Sequence, residues 1–377
     1  MKKYIVYLII VVSLIFQWYS HSFGLLLTED SYHYMAGSAS FANSLSLIDN
    51  DGDFYLFWTP LFPVILSFFK FFGVQYYWVN LIVSVFSSLV IVNISKRTIQ
   101  HFWIRILYLV FTLIGVHFLL ISSFLWSELI FLLLVVTFVS ELQRSQENRK
   151  SFYYAIVIGF FMCLQRNAGL FIAFGAVIWL FMNEENWPHK ILKLLVFFFS
   201  VSSGLLIWNV YVWVLVPHEH FDFSKELFQH AVLNVNSLAH VLIKTFLPTH
   251  YFSVPILIAV FWLFVKFLKN EMNKDSLLQL IFIISVIYLF FLNLVVVINV
   301  AGYTVDYGEA DRFISVIMPF WGLLFFKSFE NTYVKQKFSV KKLMVILIIA
   351  WMIYPLGRTV KNTIQWHQIS SKSNTFR

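Results

Sequence analysis

Apolar residues fill this chain in long uninterrupted runs, set apart by short polar stretches. The runs lie at about 4–26, 76–95, 102–121, 124–141, 152–165, 167–183, 191–215, 251–268, 277–299, 312–329 and 343–357. Most have roughly the 17–25 residues that a helix needs to cross a bilayer. Strands of a membrane barrel would be about ten residues long and alternating, and that pattern is missing. The expected fold is therefore all-α, a polytopic transmembrane helical bundle of about eleven spans. A further apolar stretch at about 60–73 is too short to span and is expected as a juxtamembrane or re-entrant helix. The chain reads as a single transmembrane domain over 1–377 with two large loops, 28–75 and 216–250. The first run follows Met1-Lys2-Lys3. It is too long for a signal-peptide core and lacks a small-residue cleavage site, so an uncleaved first span is expected.

Composition agrees. The chain is 60% hydrophobic and 12% charged, far from the roughly 25% charged of soluble domains. A soluble enzyme, a disordered chain and a nucleic-acid-binding domain are all poor fits. The net charge of +8 reads as basic residues on cytoplasmic loops. With the N-terminus in the cytoplasm, 17 of the 27 Lys and Arg residues fall on that side. The first outer loop has no Lys or Arg over 28–58 but holds Glu29, Asp30, Asp49, Asp51 and Asp53. Substantial outer loops and short basic inner ones place the working face outside, in a multi-pass protein of a bacterial plasma membrane. Cys163 is the one cysteine, so neither an intrachain disulfide nor a cysteine metal site is expected.

Five segments can carry chemistry. Glu29-Asp30 follows the first span, with Tyr32 and His33 just beyond. A carboxylate at a membrane surface can act as a general base, and the same pair suits the start of a short helix over Ser31 to Ala42. Asp49-Asn50-Asp51-Gly52-Asp53 can bind a hard cation or form a polar turn; the distal Glu of a calcium loop is missing. Trp58-Thr59-Pro60-Leu61-Phe62-Pro63 starts the juxtamembrane helix. Glu128 in Ser127-Glu128 and Arg166 in Gln165-Arg166-Asn167-Ala168-Gly169 should both lie near the outer leaflet, where they can pair or snorkel to the surface, since lipid exposure of a charge is costly. Arg312, expected to begin the tenth span, suits a phosphate through its paired N–H donors, or else pairs with Asp311 or Glu309. His218-Glu219-His220 lacks a third ligand at zinc spacing, so no metal ligand set is assigned.

Taken in order, these segments resemble the GT-C class of integral-membrane glycosyltransferases, which includes protein O-mannosyltransferases and bacterial lipid A aminoarabinose transferases. The matching pieces are Glu29-Asp30 with Tyr32, Tyr34 and Ala36; Thr59-Pro60-Leu61-Phe62-Pro63; Ser127-Glu128; Arg166 to Leu170; and Arg312-Phe313 with Met318-Pro319. They cover about 1–330. Thr59 stands where many members have a second proline, and the large soluble C-terminal domain of some members is missing. The resemblance implies a polyprenyl-phosphate-linked sugar donor and an inverting, single-displacement transfer to a glycan, lipid or protein acceptor. It casts Asp30 as the base and Glu29 as orienting Asp30 or the acceptor. Arg312 and Arg166 would stabilise the leaving phosphate, with Glu128, Tyr32 and His33 also on the substrates. Some relatives use a divalent metal, Mg2+ or Mn2+, and others none. Two other readings compete: a transporter or lipid flippase, and a polysaccharide polymerase or ligase of another membrane fold.

Overall fold

The computed structural model describes residues 2–49, 52, 55, 58–183, 190–215, 239–247, 275–299 and 307–374. Fourteen helices are named among them. They are α1 (Lys2–Ser20), α2 (Glu29–Ser44), α3 (Leu61–Phe71), α4 (Tyr76–Thr98), α5 (Phe102–Leu113), α6 (Val116–Ser123) and α7 (Glu128–Arg144). They continue as α8 (Arg149–Gln165), α9 (Gly169–Asn183), α10 (Lys190–Leu215), α11 (Ser276–Asn299), α12 (Tyr307–Ser315), α13 (Met318–Lys335) and α14 (Phe338–Asn374). Outside the helices, Leu26 and Phe124 form a parallel β-bridge. The chain is an all-α, multi-pass membrane bundle.

Among the described residues, four helical stretches are long and apolar enough to cross a bilayer: Tyr76–Thr98, Phe102–Ser123, Lys190–Val214 and Phe338–Lys372. Tyr4–Ser20, Leu61–Phe71, Gly169–Asn183 and Ser276–Phe290 are apolar but shorter. The expected span over 251–268 and most of loop 216–250 lie outside the described residues, which include 239–247 of that loop. At the centre stands α7, apolar on every side. Leu129, Phe131, Leu132, Val135, Val136, Phe138 and Val139 are fully buried, as a helix without a polar face must be. It packs on α8, α4 and α11. Side chains that leave the bundle are also apolar, among them Ile207, Val210 and Trp213 on α10 and Ile346 and Ile353 on α14. In hydrocarbon such surface needs no partner.

Three boundaries depart from the sequence expectation. The first helix ends at Ser20 rather than near 26, and the freed segment runs out to the Leu26–Phe124 bridge. The span expected over 312–329 is two helices. Arg312 lies in the short α12, and the longer α13 begins at Met318 with Pro319 in its first turn. Proline has no N–H to give to the carbonyl four residues back, so one continuous helix breaks here. The last span is the middle of α14, whose 37 residues make about 55 Å of helix, well beyond a hydrocarbon core of about 30 Å. Its far end holds the loop after α1: Ser370 Oγ donates to the Gly24 carbonyl (2.9 Å), and His367 stacks on Tyr19 at 4.2 Å.

Candidate active site

Two loop segments lie side by side and start two helices at one place. Leu26 N donates to the Ser123 carbonyl, and Leu125 N to the Leu26 carbonyl, each at 3.0 Å. Asn80 on α4 fixes the second segment, its amide donating to the carbonyls of Ser122 (3.0 Å) and Phe124 (2.9 Å). The chain then turns into α2 on one side and α7 on the other. Thr28 N donates to Ser31 Oγ (3.0 Å), Ser31 Oγ to the Leu125 carbonyl (3.1 Å), and Trp126 Nε1 to Thr28 Oγ1 (2.9 Å). Each helix carries its acids in the first turn, Glu29 and Asp30 on α2 and Glu128 on α7, where unpaired N–H groups favour negative charge.

Two arginines meet these acids. Arg166 is the residue that ends α8, in extended backbone. Its Nη1 donates to Ser127 Oγ (2.7 Å) and Glu128 Oε1 (2.6 Å). Gly169 makes that tight turn possible: a Cβ there would stand 2.7 Å from the Met162 carbonyl and 2.8 Å from Cys163 Cα. Arg312 of α12 donates from Nε to the same Glu128 oxygen and from Nη1 to Asp30 Oδ2 (2.5 Å). Its guanidinium lies over the Trp126 ring at 4.7 Å, and that of Arg166 over Phe313 at 5.6 Å. Tyr288 on α11 holds the Phe313 carbonyl at 3.1 Å.

Two positive and two negative groups thus close into a neutral, largely dehydrated cluster. Exposure rises across it, from 1% of the side chain at Glu128 through 9% at Arg312 to 27% at Asp30. The accessible acid is Asp30; Glu128 is internal. Burial alone would ease the proton off Arg312, but Glu128, Tyr34 and Asp30 outweigh it and push the guanidinium further up. Arg312 is therefore a permanent cation. The buried Tyr34 phenol, 3.4 Å from Ser127 Oγ, is pushed up to about 12, chiefly by burial, and stays neutral.

Asp30, Glu128, Arg166 and Arg312 are brought together by segments far apart in sequence. Glu128 and Arg166 pair as expected, while Arg312 takes Glu128 and Asp30 rather than Asp311. Asp311 faces the other way, toward His117 at 3.9 Å, and the Glu309 side chain lies outside the described residues. Glu29 and Tyr32 are exposed beside the cluster. The His33 and Trp58 rings lie tilted against each other with centroids 4.3 Å apart. Sequence reading missed Trp126, which looks like any interfacial tryptophan until Arg312 is seen on its face. Asp51 and Asp53 lie outside the described residues. Both cluster carboxylates are bonded to guanidiniums, and among the described residues no group of three or more His, Cys, Asp or Glu side chains stands together.

No family model and no curated protein matches the sequence. Among solved structures, ArnT from Cupriavidus metallidurans, crystallised with undecaprenyl phosphate, superposes with a TM-score of 0.53. The match covers 96% of this chain and 75% of that one at 12% identity. At that identity the likeness speaks for the fold, and function has to be argued from the site. The helical bundle of this chain is a GT-C-like membrane fold.

Proposed function

We propose that the protein is a GT-C-type glycosyltransferase that moves a sugar from a polyprenyl-phosphate-linked donor to an acceptor at the outer face of the plasma membrane. The observation that carries this reading is Arg312 bonded at once to the buried Glu128 and the accessible Asp30. A permanent cation beside a reachable carboxylate, in a fold whose ArnT representative was crystallised with undecaprenyl phosphate, is what such a transfer requires. The chain's short basic segments support a cytoplasmic N-terminus and an outward site.

In the reaction an acceptor hydroxyl or amine attacks the anomeric carbon of the donor. The bond from that carbon to the phosphate oxygen breaks, and its electron pair leaves with the polyprenyl phosphate. The acceptor's proton passes to Asp30. Arg312, with Arg166 behind it, binds the phosphate oxygens and meets the charge that develops there, a preorganised electrostatic contribution. The donor phosphate competes with Asp30 for the Arg312 N–H groups. Donor binding thereby releases Asp30 to accept the proton. Glu128 keeps both guanidiniums in register while this exchange occurs. The exposed Glu29 and Tyr32 face the acceptor.

The test is mass spectrometry of polyprenyl-phosphate sugars in cells lacking the protein, rescued with the wild type or with Asp30→Asn. One donor should accumulate in the null strain and the Asp30→Asn strain and fall with the wild type. Wild-type consumption by Asp30→Asn would remove Asp30 from its role. Movement of substrate in proteoliposomes without a covalent product would favour a transporter.

A further inference from the structure

Arg312 leaves α12 on the side of the acid cluster, and another side of the same helix is held by a second polar network. His117 of α6 stands at its centre, buried. Its Nδ1 lies 3.1 Å from Ser315 Oγ at the end of α12, and its Nε2 lies 2.6 Å from Thr245 Oγ1. The Asp311 carboxylate faces the same ring at 3.9 Å. A hydroxyl has one proton to give. Thr245 gives its proton to the Val241 carbonyl (2.8 Å), so His117 Nε2 carries the ring proton and donates it to Thr245. Ser315 Oγ reaches the Asp311 carbonyl at 2.5 Å and His117 Nδ1 at 3.1 Å, which joins the imidazole to the backbone of α12.

The helix α12 has nine residues, too few to keep its orientation without outside contacts. Close packing does not fix it on this side. A cavity runs along the network, lined by His117, Thr245, Ser315, Thr112, Pro319 and Arg358. Where side chains do not interlock, directed bonds set the rotation. Asp311 and Ser315 are four residues apart and share a face, and both meet His117. Arg312 is turned about 100° from Asp311, and in this rotation it meets Glu128 and Asp30. His117 has a firm base of its own. Thr245 belongs to the helical residues 239–246, and α14 holds their last carbonyls. Tyr354 Oη and Arg358 Nη1 each donate to the Lys244 carbonyl at 2.8 Å, and Trp351 Nε1 donates to that of Phe246 at 2.7 Å.

Building on the glycosyltransferase reading, we propose that His117 is a positioning residue for the transfer: by tying Ser315 to Thr245 it sets the rotation of α12 and aims Arg312 at the donor phosphate. Its effect reaches the substrate through Arg312, which a small roll of α12 would swing away from Glu128 and Asp30. The same tie joins the second outer loop to the charged cluster, because Thr245 lies in that loop.

The experiment measures binding of undecaprenyl phosphate to the full-length protein in nanodiscs, as a cycle of wild type, His117→Phe, Arg312→Gln and the double variant. Arg312→Gln should weaken binding, with Arg166 left to hold part of it. His117→Phe keeps a buried ring and loses both bonds. It should weaken the probe about tenfold when Arg312 is present, the scale of one lost buried hydrogen bond. With Arg312 already replaced it should change binding by less than about twofold, since nothing remains for it to aim. A residue that only stabilises the bundle would act alike in both backgrounds. Equal weakening in both, or none when Arg312 is present, overturns the positioning role. Thr245→Val removes one hydroxyl at nearly constant shape, so it carries the cycle if His117→Phe does not fold, and Thr245→Ser should recover wild-type binding. If Arg312→Gln binds undecaprenyl phosphate as wild type does, the glycosyltransferase reading fails, and the positioning role fails with it.

Discussion

Arg312 and Glu128 are bonded across 184 residues of sequence, through the same carboxylate oxygen that also accepts from Arg166. One oxygen thus fixes the separation of two guanidiniums. Such an arrangement is expensive to assemble in a dehydrated place and more expensive to leave half-assembled.

Stability should report that asymmetry. Glu128→Leu leaves two arginines facing Asp30 alone, and about 3–5 kcal/mol of folding free energy should be lost, as for other broken buried pairs. Glu128→Leu combined with Arg166→Met removes one charge of each sign and should recover a substantial part. Unfolding of the wild type, the two single variants Glu128→Leu and Arg166→Met, and the double variant in one detergent measures the coupling. Additive losses would mean that Glu128 and Arg166 are not energetically a pair.

The two neighbouring acids of α2 should separate kinetically. Asp30 is bonded to Arg312 and only partly exposed, while Glu29 is exposed and has no ion pair among the described residues. Asp30→Asn should lower kcat by about 10²-fold or more, the usual scale for a lost general base. Glu29→Gln should act on acceptor KM, with kcat nearly unchanged. The reverse pattern in steady-state kinetics would exchange their roles.

Gly169 offers a test of geometry alone. A methyl group at this position meets the backbone of the last turn of α8, not a side chain that can swing away. Gly169→Ala should therefore cost about 1–3 kcal/mol as an overpacking change. It should also weaken phosphate binding, because the displaced turn carries Arg166. An unchanged melting temperature would show that the turn relaxes freely.

Helix positions were largely legible in the sequence because long apolar runs have few alternatives in a bilayer. The short apolar α3 and the acidic start of α2 were legible for similar local reasons: prolines at one helix start, acids at the other. Residue type and expected depth were enough to pair Glu128 with Arg166. The third member was not legible. Asp311 and Glu309 sit beside Arg312 in sequence and looked like its partners, yet a helix turns neighbours about 100° apart. On α12 that rotation sends Asp311 to His117 and Arg312 to Glu128. The break at Pro319 that makes α12 a separate helix was hidden inside the apolar run read as one span over 312–329, and only the fold shows which way α12 faces. Trp126 and Tyr288 gave no local signal at all.

Thr59 is the position where the chain departs from the proline of its resemblance class, and the structure supplies a reason for a hydroxyl. Thr59 Oγ1 donates to the Gln165 carbonyl at 2.6 Å, one residue before Arg166. Gln165 in turn donates from Nε2 to the Ser127 carbonyl at 3.1 Å. This chain of bonds ties the loop that bears Trp58 to the end of α8 and the start of α7. Thr59→Val keeps the shape and leaves the carbonyl short of a donor, so it should cost about 1–2 kcal/mol. Thr59→Ser should restore the bond and most of the stability. Because the tie runs to the arginine side of the cluster, Thr59→Val should raise the donor KM more than it lowers kcat. If Thr59→Val and Thr59→Ser melt and turn over alike, the hydroxyl is not what joins the first loop to Arg166.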